Sequence, residues 1–399
     1  MNKPAIESGT PIRKDLLVFG QPEVLEEDIQ AAVDTMRSCW LGTGPKTTEF
    51  ENKFAEYKGV KYAVALNSCT AALHLALLSL KLQPGDEIIT TDFTFTATVS
   101  TIIHAGLTPV PVDCQLKIGN IEWNKIEEKI TPRTKAIVVV HFAGYPCQMD
   151  AIVNICKRYN LYLIEDCAHA IEGTFDGRHC GTFGDIGCFS FYSTKNFTTA
   201  CGEGGMLITD NEDIMREVRM LSLHGMSKGA HNRFGKEGFK HYEILYPGYK
   251  YNLTDVASSF ALSQLSRVES NWEKRNFVWK KYMTDFRGLP VYLPPNIPEN
   301  IKHAYHLFTI YLKVESLKVS RDFVLNALTK EGIGTGVHYT AIHAHPYYHK
   351  TFGWNAKNFP NSQWMSERTL SLPLSAKLTD QDVDDVIQAL KKVLNYYRK

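Results

Sequence analysis

The sequence predicts an α/β protein in which a mostly parallel central sheet carries helices on both faces, followed by a smaller C-terminal α+β domain. The chain has 399 residues, enough for one large hydrophobic core and a second, smaller one. Up to about residue 270, short β-rich runs alternate with helical patterns, which is typical of a parallel sheet. Beyond that point the pattern becomes irregular, and this change predicts a domain boundary.

Strands are predicted where short runs of apolar and β-branched residues are bounded by turn residues. The predicted strands are 62–66, 87–90, 108–112, 136–140, 162–165, 187–192 and 206–209. Helices are predicted where apolar residues recur at helical spacing, and Asp150 suits the N-cap of one of them. The predicted helices are 70–80, 151–159 and a long stretch over 255–282.

The boundary near residue 270 divides the chain into a large domain, 1–270, and a small domain, 271–399. The segment 290–298 is rich in proline and predicts irregular structure. A β-like run at 307–314 and helical patterns at 321–331 and 380–396 follow it. The N-terminal segment is expected to pack on the small domain.

Composition argues against several classes of protein. The formal net charge is +1, so there is no basic surplus that would indicate a nucleic-acid partner. No apolar run reaches the length of a membrane span, and the first residues lack the apolar region of a signal peptide. The nine cysteines are scattered without a Cys-x-x-Cys pair, which favours a reducing, cytoplasmic location and indicates no metal site.

Lys195 is the first candidate for chemistry, because it follows an apolar strand and precedes the Gly-rich turn 202–205. Burial at such a place would lower the pKa of the amine and make it available for bonding to an aldehyde. On this segment alone, a surface lysine at a strand end remains the simpler interpretation.

Asp166 is the second candidate, because it lies at the carboxyl end of the apolar strand 162–165. A carboxylate there could keep the ring nitrogen of pyridoxal 5'-phosphate (PLP) protonated, which that cofactor needs to accept electrons. The alternative is an aspartate that caps a following helix. Glu165 should point to the opposite face of the sheet, because side chains alternate along a strand.

A phosphate site is predicted at the strand-to-helix junction 67–71. Free backbone amides and the helix dipole favour an anion there, and Ser68 and Thr70 could add hydroxyl donors, with Cys69 between them. Ser190 could contribute another hydroxyl. Phe95 could stack on a cofactor ring, although Phe93 or Phe95 could equally well pack in the core.

These segments together resemble the sugar aminotransferases of the DegT/DnrJ/EryC1/StrS family. The resemblance extends from about Trp40 to Leu390 and rests on 67–73, 165–169, 190–196 and 202–205, with 40–45 and 247–255 as flanking matches. It implies a fold-type-I PLP-dependent aminotransferase, active as a homodimer with shared active sites. It also implies an amino donor, L-glutamate, and a nucleotide-sugar substrate of polysaccharide or lipopolysaccharide biosynthesis.

The resemblance assigns roles to individual residues. Lys195 would bond covalently to the cofactor, Asp166 would hold its ring nitrogen, and His169 would lie beside its ring or its phenolic oxygen. Asn252 would reach across the dimer to the cofactor phosphate of the partner subunit. The residues expected to contact substrate are Thr43, Tyr192, Glu203 and His338.

Within the family, the chain is most similar to the UDP-4-amino-4-deoxy-L-arabinose aminotransferases, through 249–255, 332–338 and 371–374. This similarity implies a UDP-4-keto-pentose as substrate, with a 4-keto-6-deoxyhexose or a 3-keto sugar nucleotide as alternatives. Tyr192 replaces the usual histidine, Cys69 replaces a smaller residue, and the loop near Ala200 is longer than usual. Lys228, Arg233 and Lys236 are candidates for binding the nucleotide diphosphate.

Three other interpretations are considered. A nicotinamide dehydrogenase would need a Gly-x-Gly-x-x-Gly turn where 67–72 stands, so the sequence argues against it. A PLP-binding regulatory protein without catalysis would keep the same residues, and only turnover distinguishes it. The cluster His338, His343 and His345 lacks acidic or cysteine ligands at a matching spacing, so a metal site is not predicted there.

Overall fold

The computed structural model describes residues 3–227 and 242–399. The candidate nucleotide-binding residues Lys228, Arg233 and Lys236 lie outside this range. The described α-helices are α1 (Glu26–Arg37), α2 (Pro45–Lys58), α3 (Cys69–Ser79), α4 (Thr96–His104), α5 (Met149–Tyr159), α6 (Glu212–Leu221), α7 (Asp255–Ser266), α8 (Val268–Asp285), α9 (Arg321–Lys330), α10 (Pro346–Phe352), α11 (Pro360–Arg368) and α12 (Asp380–Tyr396).

The described strands form three sheets. They are β1 (Tyr62–Leu66), β2 (Glu87–Thr91), β3 (Thr108–Val112), β4 (Thr134–Val140), β5 (Tyr162–Asp166), β6 (Thr174–Phe175), β7 (Arg178–His179), β8 (Ile186–Ser190), β9 (Gly205–Thr209), β10 (Val291–Tyr292), β11 (Ile301–Lys302), β12 (Phe308–Leu312) and β13 (Thr369–Leu372). The strands predicted from the sequence are therefore confirmed, with bounds that differ by a few residues.

The central sheet has seven strands in the order β1-β9-β8-β5-β4-β2-β3. The pairs β8–β5, β5–β4, β4–β2 and β2–β3 are parallel, while β9 runs antiparallel to both of its neighbours. The strand β4 is buried on both faces, which explains its unbroken apolar run. The predicted α/β class with a mostly parallel sheet is confirmed.

The antiparallel direction of β9 has a local consequence. Its first residue, Gly205, pairs with Ser190 at the end of β8 and with Leu66 at the end of β1. A Cβ added to Gly205 would stand 2.5 Å from the amide nitrogen of Cys69, so glycine is required for this close approach. The turn before α3 is thereby packed directly against the end of the Gly-rich segment.

Two helix predictions need correction. Asp150 lies inside the first turn of α5, whose N-cap is Gln148, so the predicted cap is wrong. The stretch 255–282 is two helices, because the backbone leaves helical geometry at Arg267. There the guanidinium donates to the Asp28 carboxylate of α1, with a distance of 2.7 Å from Nη1 to Oδ1. This ion pair holds Arg267 at the break.

A second core surrounds the antiparallel sheet β10-β12-β13 and includes side chains of α8, α9 and α12. The N-terminal segment contacts these elements: Leu17 joins the core, and Arg13 donates to Asp382 and Asp385 of α12 at 2.8 and 2.6 Å. The boundary at residue 270 stays a prediction. Within 3–227 and 242–399, no helix is both long and apolar enough to span a bilayer.

Candidate active site

The carboxyl ends of β4, β5 and β8 lie at one edge of the central sheet, where a cavity of about 390 Å³ opens. This is the expected place for a ligand in such a sheet, and the volume suits a small molecule. Among the described residues that were predicted to contact cofactor or sugar, all line the cavity except Thr43 and Asn252. The lining members are Ser68, Cys69, Thr70, Phe95, Asp166, His169, Ser190, Tyr192, Lys195, Glu203 and His338.

A larger, open depression of about 980 Å³ lies between α1, α2 and α7. Two lysines of α2 line it, and both are paired with glutamates on exposed helix faces: Lys46 with Glu49, and Lys53 with Glu56. Such exposed pairs are ordinary surface contacts. The smaller cavity, in which chemical groups converge, is therefore the candidate active site.

Lys195 lies in the turn that follows β8 and extends into the cavity. It is partly accessible, and burial lowers the pKa of its amine from 10.5 to about 8, while nearby Cys69 and Asp166 oppose the shift. At neutral pH the amine therefore keeps a deprotonated fraction that is far larger than that of a surface lysine. The position of Lys195 inside the cavity argues against the surface-lysine interpretation.

Asp166 ends β5 and is buried. Burial raises the pKa of its carboxyl, and the hydrogen bonds from Thr98 and Ala168, together with the Lys195 charge, oppose this rise. Its Oδ2 accepts from Thr98 Oγ1 at 2.8 Å, and its Oδ1 accepts from the backbone N–H of Ala168 at 3.1 Å. No helix begins between β5 and β6, so the interpretation of Asp166 as a helix cap is wrong.

His169 stands beside Asp166 in the cavity wall, and its tautomer follows from its partners. Nδ1 accepts from the backbone N–H of Ala143 at 3.2 Å, so Nε2 carries the hydrogen and donates to Tyr339 Oη at 3.1 Å. Burial, and then the charge of Lys195, lower the pKa of His169 well below 6.5. The imidazole is therefore neutral, and the hydroxyl hydrogen of Tyr339 is free to point into the cavity.

The turn before α3 also lines the cavity. Ser68 is the N-cap, and its hydroxyl accepts from the Ala71 N–H at 3.0 Å. The amides of Cys69 and Thr70, at the first turn of α3, have no acceptor among the described residues. They can bind an anion together with the helix dipole. Ser190 lines the same cavity.

Two aromatic side chains at the cavity mouth are exposed and do not pack in a hydrophobic core. Phe93 is fully buried, whereas Phe95 is 57% exposed and Tyr192 is 45% exposed. Phe95 is therefore not a core residue, while Phe93 is, which resolves the alternative left open by the sequence. Glu203 completes this part of the mouth.

His338 lies in the segment between α9 and α10 and is held by Ser371 of β13, with 2.9 Å between Nδ1 and Oγ. Burial, and then the charge of Lys195, lower its pKa from 6.5 to about 3. The ring of His343 instead lies between Asp92 and Gln363, at 2.6 and 2.9 Å. These histidines thus have separate partners and do not converge on a metal.

Thr43 and Asn252 lie together, but outside this cavity. Asn252 Nδ2 donates to Thr43 Oγ1 at 2.6 Å, and Thr43 donates in turn to the carbonyl of Leu253. Asn252 also bridges to Leu66 at the edge of β1. Their contact with a cofactor or a substrate stays a prediction.

Sequence reasoning missed Thr98 and Tyr339. Thr98 bonds to Asp166 across 68 positions of the chain, so no local pattern indicates the contact. Tyr339 directly follows His338, and its place beside a residue already singled out is the one signal that could have found it.

The residues at this edge fit PLP. A lysine with a lowered pKa can bond to the aldehyde, Asp166 retains accepting capacity for a protonated ring nitrogen, and free amides at the start of α3 match a phosphate. The exposed Phe95 ring can cover one face of the cofactor.

Comparisons with known proteins identify the family of this chain. The model of the DegT/DnrJ/EryC1/StrS aminotransferase family matches residues 22–391. The spore coat polysaccharide biosynthesis protein SpsC of Bacillus subtilis is 44% identical, covering 96% of this chain and 98% of SpsC.

Two solved structures share the fold over nearly the whole chain. The PLP form of Spr1654 from Streptococcus pneumoniae, described as a sugar aminotransferase, has a TM-score of 0.86 and 33% identity, covering 96% of this chain and 99% of that one. PseC of Helicobacter pylori, an aminotransferase involved in pseudoaminic acid biosynthesis, has a TM-score of 0.89 and 28% identity, covering 96% and 100%. The chain has the fold-type-I architecture of these enzymes and belongs to the DegT/DnrJ/EryC1/StrS aminotransferase family.

Proposed function

We propose that this protein is a PLP-dependent aminotransferase that moves an amino group from L-glutamate to the keto carbon of a nucleotide sugar. The observation that carries the proposal is the placement of Lys195, whose amine has a pKa of about 8, in one cavity with the buried carboxylate of Asp166. Free amides at the start of α3 and the exposed ring of Phe95 complete a site of suitable size.

When bound, PLP supplies an electron sink that stabilises negative charge on the carbon from which a proton is removed. Asp166 would accept a hydrogen bond from the ring nitrogen and keep that nitrogen protonated. Lys195 Nζ would bond to the cofactor aldehyde, and as a free amine it would remove the proton from the donor's α-carbon. Because Nζ is tethered in the cavity, the same amine can deliver the proton in each half-reaction.

The cofactor phosphate would be held by the amides of Cys69 and Thr70 and by the hydroxyls of Ser68, Thr70 and Ser190. His169, which is neutral, would lie beside the cofactor ring, and Phe95 would cover the face of that ring. Tyr192, Glu203 and His338 line the remaining side and are proposed to contact the sugar.

The first candidate substrate is a UDP-4-keto-pentose, and the product would be a 4-amino sugar nucleotide. The support is the resemblance of 249–255 and 332–338 to the 4-amino-4-deoxy-L-arabinose enzymes. The relation to SpsC supports a role in polysaccharide biosynthesis. All nine cysteines are free thiols, which fits a cytoplasmic enzyme.

We further propose a homodimer with shared sites, in which Asn252 contacts the cofactor phosphate of the partner subunit. Its support is that Asn252 and Thr43 lie together and outside the cavity of their own chain. If Lys195→Ala and Asn252→Ala chains are mixed and allowed to exchange, roughly a quarter of the sites regain both residues. Recovered turnover in the mixture supports sharing, and none after demonstrated exchange contradicts it.

The test of function is the absorbance of the purified protein with PLP. We expect the band of lysine-bound cofactor, its conversion to that of the aminated cofactor with glutamate, and its return with UDP-4-keto-pentose. If only a 4-keto-6-deoxyhexose or a 3-keto sugar nucleotide restores the band, the enzyme class stands and the sugar is wrong. A band that glutamate leaves unchanged would favour a cofactor-binding regulatory protein, and no band at all would refute the assignment of Lys195.

A further inference from the structure

The buried carboxylate of Asp166 is held by a side chain that has not yet been given a role. Thr98 lies in α4, is 1% exposed, and donates from Oγ1 to Asp166 Oδ2 at 2.8 Å. Thr94, in the loop before α4, stands 2.9 Å away from it, hydroxyl to hydroxyl. These two residues form a short hydroxyl chain that ends on Asp166.

The direction of this chain follows from hydrogen counting. An ionised carboxylate only accepts, so the single hydroxyl hydrogen of Thr98 points to Asp166. The hydrogen between the two threonines must then come from Thr94. Thr94 therefore donates to Thr98, and Thr98 donates to Asp166. Each hydroxyl hydrogen is engaged in one bond, which fixes its direction.

Thr98 departs from the usual behaviour of a helical threonine. Such hydroxyls commonly bond to the carbonyl four residues earlier, as Thr101 of the same helix does with Ala97 at 2.9 Å. Thr98 instead turns to a carboxylate 68 positions away. A hydrogen bond to a buried charge contributes more than a local bond to a neutral carbonyl.

We propose that Thr98, oriented by Thr94, is a positioning residue that keeps Asp166 ionised and aims its carboxylate at the cofactor ring nitrogen. This inference rests on the proposed function and assigns residues that the family resemblance did not name. Without the Thr98 hydroxyl, Asp166 would keep the Ala168 amide as its one near hydrogen-bond donor, with the thiol of Cys69 at 4.0 Å.

Electrostatics supports this role. Burial raises the pKa of Asp166, and the bond from Thr98 is the strongest influence that opposes the rise. Other titratable groups also face the carboxylate: Lys195, Cys69, Cys188, His141 and Tyr339. Replacing Thr98 removes this opposing bond without changing the formal charge of the site.

The test compares Thr98→Val, which is close in shape but has no hydroxyl, with Thr98→Ser and with Thr101→Val. Thr101 is equally buried and lies one turn further along α4. For Thr98→Val we expect the dissociation constant for PLP to rise about tenfold and kcat to fall about tenfold with a nearly unchanged KM for glutamate. The acidic limb of the pH profile should move up by about one unit, because Asp166 then protonates at higher pH.

Thr98→Ser should restore all three quantities to within about threefold of wild type, since it retains the hydroxyl. Thr101→Val should resemble wild type. Thr94→Val should have a smaller effect than Thr98→Val, because Thr98 keeps its bond to Asp166.

The proposal is overturned if Thr98→Val matches Thr101→Val in cofactor affinity, kcat and pH profile. A Thr94→Val effect as large as that of Thr98→Val would refute the order of the chain. If wild type itself binds no PLP and shows no turnover, the proposed function fails instead, so the two failures are distinguishable.

Discussion

Two buried regions lie on opposite faces of the central sheet, and each holds one lysine and one carboxylate. On one face, Lys195 and Asp166 line the cavity. On the other, Lys58 and Glu165 lie in a closed polar region near Cys180. Asp166 and Glu165 are consecutive in sequence, and the alternation of side chains along β5 sends them to opposite faces, as predicted.

In the closed region, both the carboxylate of Glu165 and the amine of Lys58 have hydrogen-bond partners within the protein. Glu165 accepts from His141 Nε2 at 3.0 Å and from the backbone amides of Gly181, Phe183 and Gly184 at 2.8, 2.7 and 2.8 Å. Lys58 donates to the carbonyls of Ile171 and Cys180, and its Nζ lies 4.5 Å from the centre of the Phe189 ring. Nothing in this region is left to bind a ligand.

The same region contains a potential metal site that its hydrogen bonds argue against. Ligand atoms of His141, Glu165 and Cys167 lie within 4.8 Å of one another. However, His141 Nδ1 accepts from the backbone N–H of Cys147 at 3.0 Å, so Nε2 carries a hydrogen toward Glu165. With both ring nitrogens engaged, His141 has no lone pair for a metal.

The cavity face differs because Lys195 and Asp166 can still form hydrogen bonds with a ligand. The structure gives Lys195 Nζ no hydrogen bond to another described residue, and Asp166 can accept further hydrogens. Burial lowers the pKa of Lys58 as well as that of Lys195. A perturbed lysine is therefore not sufficient evidence for chemistry, and unsatisfied hydrogen-bonding capacity beside a cavity distinguishes the two regions.

The largest expected difference is between the two lysines. Lys195→Ala should lower kcat by about 1,000-fold or more, with little change in melting temperature, because the proposed function assigns the proton transfer to this amine. Lys58→Met should keep kcat within about threefold of wild type and lower the melting temperature, since two buried carbonyls lose their donor. Steady-state kinetics and thermal unfolding measure both. A loss of turnover in Lys58→Met without any loss of stability would contradict the comparison.

The two carboxylates should separate in the same way, with smaller effects. Asp166→Asn should lower kcat by about 100-fold while leaving the free energy of unfolding nearly unchanged. Glu165→Gln should lower the free energy of unfolding by about 3 kcal/mol, because an amide NH₂ would face donors that the carboxylate now satisfies. Urea unfolding and turnover should be measured for both variants. A loss of stability in Asp166→Asn together with a loss of turnover in Glu165→Gln would show that the roles are reversed.

A third buried pair consists of Asp92 and His343. It is expected to have the smallest effect of the three pairs, and that effect is on stability. Asp92 accepts from His343 Nδ1 at 2.6 Å and from the backbone N–H of His343 at 2.9 Å. Gln363 Oε1 faces Nε2 at 2.9 Å, so both ring nitrogens meet acceptors, as an imidazolium requires. Although burial alone would lower the pKa of His343, the bond and charge of Asp92, with Asp113 nearby, raise it above 6.5.

Because the folded-state pKa of His343 is raised, its contribution to stability is complete below about pH 6.5 and is lost as the pH rises through the raised value. The free energy of unfolding of wild type should exceed that of His343→Gln by about 1 kcal/mol more at about pH 6 than at about pH 9. Urea titrations at the two pH values measure this difference. A stability difference independent of pH would show that His343 is neutral in the folded protein.

The sequence predicted the parts of the fold and site that depend on local pattern. Lys195 and Asp166 were found because each follows an apolar strand, and parallel strands bring their carboxyl ends to one edge. The break at Arg267 was missed because it depends on an ion pair with Asp28, which lies far away in the sequence. The antiparallel direction of β9 was missed because period-two patterning carries no direction.

Roles that depend on contacts between distant segments were also out of reach. The sequence around Thr98 does not indicate a contact with Asp166, because threonine is common in the first turn of a helix. The tautomer of His169 depends on Ala143 and Tyr339, which approach it from separate elements. Cys69 was noted as unusual, and only the structure places its thiol near Asp166.

The pairing of Ser190 with Gly205 also bears on how such a protein can diversify. The segment between them, which carries Lys195, leaves and re-enters the same sheet at adjacent, hydrogen-bonded points. Added residues would lengthen a loop whose ends stay fixed, and the entropic cost of a longer loop grows only slowly. Insertions there can reshape the entrance while the amine stays in register with Asp166, so new substrates can be acquired without disturbing the reaction.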